Sequence, residues 1–175
     1  MTLDPANIRQ LTPDDFDQLY EIWEEGSPVA FSNANLDLKH KADFYQAFFK
    51  KALASQTEAF RYWGYFDGDI LVAWHSLLPC QAAPVLYHLY AETSLCIRRG
   101  YRSNGLGVFL MKFCFDYARQ HSELAYILGT NSALSEKSHS MLREVGFTEI
   151  GDIPRSARDK TWGENDNGRV WFYVM

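Results

Sequence analysis

Within about a dozen residues the chain changes its hydrophobic period from two to about 3.6, and that switch constrains the fold more than any other feature of the sequence. The stretch "VLYHLYAETSLCI", residues 85–97, alternates apolar with polar or polarisable side chains and reads as one long strand. The stretch "GLGVFLMKFCFDYARQH", residues 105–121, sets Leu106, Phe109, Leu110, Phe113 and Tyr117 on one face of a helix. A strand that leads straight into an amphipathic helix buries both only if the helix lies across a sheet. The chain must therefore be a layered mixture of helices and strands.

The flanking sequence extends the same architecture. "NIRQLTPDDFDQLYEIWEEGSP" predicts a short strand, then a helix that starts at "TPDD", with Pro13 in the first turn and Phe16, Leu19, Tyr20 and Trp23 at helical spacing. Residues 36–54 predict a second helix, and residues 60–79 two strands joined at "DGD". After residue 121 come a short strand over 124–130, a helix over 135–145 closed by Gly146, and two final strands around a polar loop. The order β-α-α-β-β-β-α-β-α-β-β places residues 1–175 in one α/β (α+β) domain, a mixed central sheet of about seven strands flanked by about four helices. No repeat, low-complexity tract or linker interrupts it.

Charge narrows the partners. A formal net charge of −5 argues against a nucleic-acid surface, whereas the local cluster Arg98, Arg99 and Arg102 suggests a small anionic ligand. The cysteines Cys80, Cys96 and Cys114 match neither a zinc pattern nor a disulfide framework, so no metal is expected and reduced, buried thiols are. The N-terminus "MTLDPANIRQ" lacks the layout of a signal peptide, and no apolar run approaches the ~18 residues of a membrane helix. A soluble cytoplasmic protein is expected.

Strand, "RRGYRSNGLG", helix is a recipe for holding an anion. A helix start offers unpaired N–H groups and partial positive charge, Gly105 and Gly107 let a ligand come close, and Arg102 adds forked hydrogen bonds. It is not a P-loop, because Val108 and Phe109 follow Gly107 where Lys-Ser/Thr is required, and Leu110 stands where a dinucleotide fingerprint needs its third glycine. What remains is Arg-x-x-Gly-x-Gly, "RSNGLG" at 102–107, behind a strand. It resembles the pyrophosphate loop of the GNAT acyltransferase superfamily, and "LREVGF" at 142–147 resembles that family's closing helix end. The resemblance runs from Ile8 to Met175 and implies a GNAT-like domain that uses acetyl-coenzyme A as acyl donor. "YAETSLCI" at 90–97 further resembles the phosphinothricin acetyltransferase group, which implies an acceptor that is the primary amine of a small amino-acid-like molecule.

The resemblance assigns roles residue by residue. Glu92 is the general base, directly or through water, with a simple counter-ion for the substrate ammonium as the alternative. His88, placed four residues earlier on the same strand face, is either a helper or structural. Backbone groups of Leu95, Cys96 and Ile97 polarise the thioester and pair with the pantetheine arm. Arg102, Ser103, Asn104, Gly105, Leu106, Gly107 and Val108 hold the diphosphate, and of the three arginines only Arg102 is expected to point inward. The family's usual acid position, four residues before Gly146, is Leu142, which cannot donate a proton; its usual Asn position is Ser135, with Asn131 about one turn too early. Either Ser135, Ser138 or His139 substitutes, or the thiolate leaves unprotonated; Ser135 and Ser138 are also expected to reach the coenzyme. Trp23, Phe31, Phe44, Tyr45 and Trp74 are candidates for the acceptor pocket, and Arg155, Arg158 or Lys160 for gripping a carboxylate.

Three readings follow: an acetyltransferase for a small amine, one for a protein or polyamine, and a coenzyme-binding sensor without turnover. The aromatic final strand "VWFYVM" suggests pairing across a two-fold axis, hence a homodimer.

Overall fold

The computed structural model describes residues 2–30, 42–80, 88–153 and 167–175, with residues 27–30 as backbone alone. In chain order they form β1 (Ile8–Gln10), α1 (Phe16–Ala30), α2 (Ala42–Ala54), β2 (Arg61–Asp67), β3 (Ile70–Pro79), β4 (Tyr90–Ile97), α3 (Leu106–His121), β5 (Tyr126–Ser132), α4 (Glu136–Val145), β6 (Thr148–Ile153) and β7 (Gly168–Val174). This is the order anticipated from periodicity, in one seven-stranded sheet arranged β1-β2-β3-β4-β5-β7-β6. Only β4 and β5 run parallel; the remaining neighbours are antiparallel.

Local chemistry explains the element ends. Asp15 receives the Thr12 N–H at 2.8 Å and a forked contact from Arg9, which fixes the entry into α1. Gly68, at φ +61°, turns the tight connection between β2 and β3. Gly146, at φ +110°, ends α4 in a conformation that L side chains rarely adopt.

The helices cover the two faces of the sheet in pairs. On one face Leu110, Met111 and Phe115 of α3 and Leu142 of α4 pack with Tyr65, Ala73, Ile127 and Trp171. On the other, Leu19 and Ile22 of α1 and Phe49 and Leu53 of α2 pack with Tyr62, Phe66 and Trp74. Alternation along β2 and β3 sends successive side chains into the two cores, so both strands are buried almost throughout.

Three expectations need correction. The strand expected over 85–97 begins at Tyr90: His88 and Leu89 form a turn, and the Leu89 carbonyl, which accepts the N–H groups of both Ala125 and Tyr126, makes the first bond to β5. His88 therefore lies in a turn, not four residues along the strand from Glu92. The final strand cannot pair across a two-fold axis, since β7 is bonded to β5 on one side and β6 on the other. Residues 36–41 of the expected second helix and 85–87 of the expected strand lie outside the described residues.

Candidate active site

The site exists because β4 and β5 part. They are paired only at Tyr90↔Tyr126, Ala91↔Ile127 and Glu92↔Leu128, and beyond these pairs the strands diverge. A cavity of about 520 Å³ opens there and is lined from both faces of the sheet, by Met111, Ser138 and Met141 on the α3–α4 side and by Trp23, Tyr45 and Trp74 on the other. A cavity with walls on both faces has to pass through the sheet, and the parted strands are where it does so.

The backbone of β4 is divided by register. Arg98 N donates to Val72 O and Cys80 N to Tyr90 O, so the even-numbered residues of β4 direct their peptide groups at β3. The odd-numbered residues face the other way. Past Glu92 that leaves Thr93, Leu95 and Ile97 opposite the gap, with the Ile97 carbonyl engaged by Arg102 Nε at 2.8 Å. Of the three residues expected to present backbone to a ligand, Leu95 and Ile97 have their peptide groups toward the gap, whereas the Cys96 peptide is committed to Trp74 and Cys96 lines the cavity with its side chain. Burial pushes the Cys96 thiol up to about 12, so it is not a thiolate.

Side chains alternate in the opposite sense. Glu92 and Ser94 share the face of Cys96, which packs with the α1–α2 core; Thr93 and Leu95 face α3. Thr93 Oγ1 lies 2.6 Å from Nε2 of His75, a fully buried residue whose imidazole burial lowers to about 3 and so keeps neutral.

The glycine-rich turn is built as an amide cradle braced from behind. Ser103 has φ +67° and Gly105 φ +83°, and a Cβ on Gly105 would meet nothing within 4 Å, so conformation and not crowding favours glycine there. Gly107 is the reverse case: a Cβ would sit 2.6 Å from Met141 Sδ and 3.1 Å from Leu95 Cδ2, so its absence lets α3 seat closely on β4 and α4. Asn104 Oδ1 accepts the Leu106 N–H at 3.2 Å, and the Leu106 side chain is buried in the core. Gly107 and Val108 follow in the first turn, where amides have no intrahelical acceptor.

The arginines brace this turn. Arg98 donates to Glu21 at 2.9 Å and to the Leu71 carbonyl at 3.2 Å, and beside it the Glu21 carboxyl is held below its usual range. Glu25, one turn further along α1, accepts the Arg99 N–H at 2.6 Å and lies 3.9 Å from the half-buried Arg102 guanidinium. Arg102, expected to hold the diphosphate, is turned instead to the Ile97 carbonyl and Glu25 behind the turn, and Arg98 is likewise drawn inward; only Arg99 remains largely in solvent.

At the acid position Leu142 is buried and borders the cavity. His139 is fully buried, bonded through Nε2 to the Ser132 carbonyl at 3.0 Å and tilted against the Trp171 ring, and it does not border the cavity. Ser135 donates to Ser138 at 2.8 Å, and of the two Ser138 borders the cavity.

Trp23, Phe44, Tyr45 and Trp74 line the cavity as anticipated; Phe31, Arg155, Arg158 and Lys160 lie outside the described residues. Phe48, Phe49 and Tyr62 were not anticipated. The signal was present in α2, where Phe44, Tyr45, Phe48 and Phe49 make an apolar face wider than a core contact needs, with Phe44 65% and Phe48 45% exposed. Asn131, one turn early by motif counting, also borders the cavity; Trp171 Nε1 holds its Oδ1 at 3.0 Å, and its Nδ2 is shielded from solvent with no partner among the described residues.

Comparisons with known proteins agree with this geometry. Over 96% of its length the chain superposes on the ribosomal-protein-alanine N-acetyltransferase of Brucella melitensis, with 17% identity, 99% of that chain covered and a TM-score of 0.72. The GNAT-family acetyltransferase of Streptococcus pneumoniae gives 17% identity, 96% and 98% coverage and a TM-score of 0.75. A phosphinothricin acetyltransferase of Sinorhizobium meliloti, solved in complex with AcCoA, gives 13% identity, 96% and 87% coverage and a TM-score of 0.75. No curated protein matches the sequence significantly. Residues 16–147 match the model of the acetyltransferase (GNAT) family, and the chain belongs to that family of acetyl-coenzyme A-dependent enzymes.

Proposed function

We propose that the protein transfers the acetyl group of acetyl-coenzyme A to the primary amine of a small molecule by direct attack, with Glu92 as general base. The observation that carries this reading is the cleft through the parted strands, which gives one opening two chemically different walls. When bound, acetyl-coenzyme A supplies an acyl carbon activated as a thioester and a leaving thiolate. The residues present fit it. The amides of Gly107 and Val108 with those of the turn before Leu106 suit a diphosphate, the peptide groups of Thr93 and Leu95 and the Ile97 N–H suit an extended arm added beside β4, and Ser138 offers a hydroxyl along the way. A phosphinothricin acetyltransferase and a Salmonella typhimurium acetyltransferase of the same fold were each solved with acetyl-CoA, which supports the assignment.

Glu92 lies on the side of the cleft where an acceptor enters, on the face of β4 shared with Ser94 and Cys96. Its carboxylate binds an incoming ammonium and removes the proton that attack releases, directly or through a water. Leu142 at the acid position and His139 tied to Ser132 leave the thiolate to depart without a dedicated acid. Cys80, Cys96 and Cys114 form no disulfide, which suits a reducing cytoplasm. Among the described residues no helix is long and apolar enough to cross a membrane, and no group of side chains could hold a metal ion.

Glu92→Gln should lower kcat by about 10²- to 10⁴-fold while the Kd for acetyl-coenzyme A stays unchanged. Full activity in that variant rejects the base; coenzyme binding without turnover on any amine makes the protein a sensor.

A further inference from the structure

Thr93 occupies a particular point of the cleft. It is the first residue of β4 beyond the last pair with β5, Glu92↔Leu128, and it borders the cavity where the two strands begin to part. Opposite it on β5 stands Gly129, where an added Cβ would come to 3.4 Å from Thr93 Cγ2, so no side chain from β5 covers Thr93 there.

The Thr93 hydroxyl is held from behind. Its Oγ1 lies 2.6 Å from Nε2 of His75, a residue with no exposed surface whose ring meets Phe115 edge-on. The direction of this bond follows from the other ring nitrogen. His75 Nδ1 is buried and has no partner among the described residues. Burial keeps the ring neutral, so it carries one N–H. At Nδ1 that hydrogen would be a buried donor without an acceptor; at Nε2 it leaves Nδ1 as a bare lone pair, the smaller penalty. Nε2–H therefore donates to Thr93 Oγ1, and the hydroxyl proton of Thr93 is directed to a different acceptor.

The proposed path of the coenzyme supplies that acceptor. The arm runs beside β4 from the turn before α3, and the strands close at Glu92↔Leu128. With a rise of about 3.3 Å per residue, Thr93 stands roughly 13 Å along the strand from Ile97, at the closed end that the reactive tip reaches. Attack by an amine there forms a C–N bond and breaks the C–S bond, whose electron pair stays on sulfur, while Glu92 takes the proton released by nitrogen. Negative charge thus develops on sulfur. A hydroxyl whose oxygen already accepts a hydrogen bond is polarised and donates more strongly to such a charge.

We infer that Thr93 is a catalytic residue: its hydroxyl, oriented by His75, donates a hydrogen bond to the departing sulfur of coenzyme A. The proton stays on Thr93, so the thiolate still leaves unprotonated, and His75 is a positioning residue. The inference rests on the acetyl-transfer reading and adds to it the group that meets the leaving atom.

The thiol of coenzyme A bound to the protein reports this contact without turnover. Its thiolate absorbs in the ultraviolet and can be titrated against the protein without coenzyme. Thr93→Val, which exchanges the hydroxyl for a methyl, should raise the pKa of the bound thiol by about one to two units. Glu92 is the same in both proteins, so the difference reads the hydroxyl. The kcat of Thr93→Val should fall about 10- to 100-fold, while the Kd for acetyl-coenzyme A changes less than about threefold. Turnover is followed with the fastest of propylamine, phenylalanine, spermidine and a short peptide with a free N-terminus. Thr93→Ser, which keeps the hydroxyl, should titrate like the parent protein. His75→Leu should raise the thiol pKa in the parent and add nothing to Thr93→Val; Thr93→Val alone carries the test if His75→Leu fails to fold.

An unchanged thiol pKa in Thr93→Val overturns the inference, and continued acetylation of amines then leaves acetyl transfer standing. A thiol pKa raised as much in Thr93→Ser as in Thr93→Val also overturns it, since packing and not the hydroxyl would be the cause. Absence of turnover on every amine, with coenzyme A bound, overturns acetyl transfer, and the titration still judges the contact between Thr93 and sulfur.

Discussion

His75 shows how one side chain can set a pH limit on the fold. It has no exposed surface, and burial lowers its pKa from the ordinary 6.5 to about 3. Below pH 6.5 the unfolded chain takes up a proton at this residue that the folded protein refuses, so stability falls with pH and stops falling from this source near pH 3. Urea unfolding should show a loss of about 2 kcal/mol between pH 7 and pH 5, and His75→Gln should flatten that slope. At this scale the sequence was readable where the backbone pattern decides. "RSNGLG" could be recognised as an anion-holding turn because first-turn amides and left-handed glycine conformations follow from local chemistry. The destinations of Arg98, Arg102 and His139 could not, because Glu21, Glu25 and Ser132 reach them only through the tertiary fold.

Helix α4 and strand β4 mark the boundary of legibility among elements. Gly146 announced the end of α4 because the chain leaves that helix at φ +110°, a conformation costly for any residue with a Cβ. Gly146→Ala should destabilise the protein by about 1–2 kcal/mol in urea unfolding, since its Cβ would also press to 3.3 Å from a Tyr173 ring carbon. The start of β4 was overextended because alternation continues through His88, while the turn at His88 and Leu89 leaves no local trace. The final strand was misjudged as an edge for a similar reason. It lies inside the sheet between β5 and β6, with Trp171 buried and Phe172 and Tyr173 half-buried, and a sequence alone does not reveal which strand lies outermost.

For the whole molecule, element order was legible and the acceptor wall was only partly so. Order follows from periodicity along the chain, whereas the wall gathers residues from α1, α2, β2 and β3. The opening between β4 and β5 is a property of neither strand alone, and its register makes a sharp prediction. Amide hydrogen exchange at Leu95 should slow at least about tenfold when acetyl-coenzyme A is added, while Cys96, already bonded to β3, should change little. Equal slowing at both would reject the assignment of an added arm along β4. One short piece of α1 touches both ends of this arrangement: Trp23 stands among the aromatic residues of the cavity, and Glu25, two residues on, grips the turn that precedes α3. A ligand that nudges this piece on one side alters the fit on the other. Donor and acceptor must then change each other's affinity by one and the same factor, whichever arrives first.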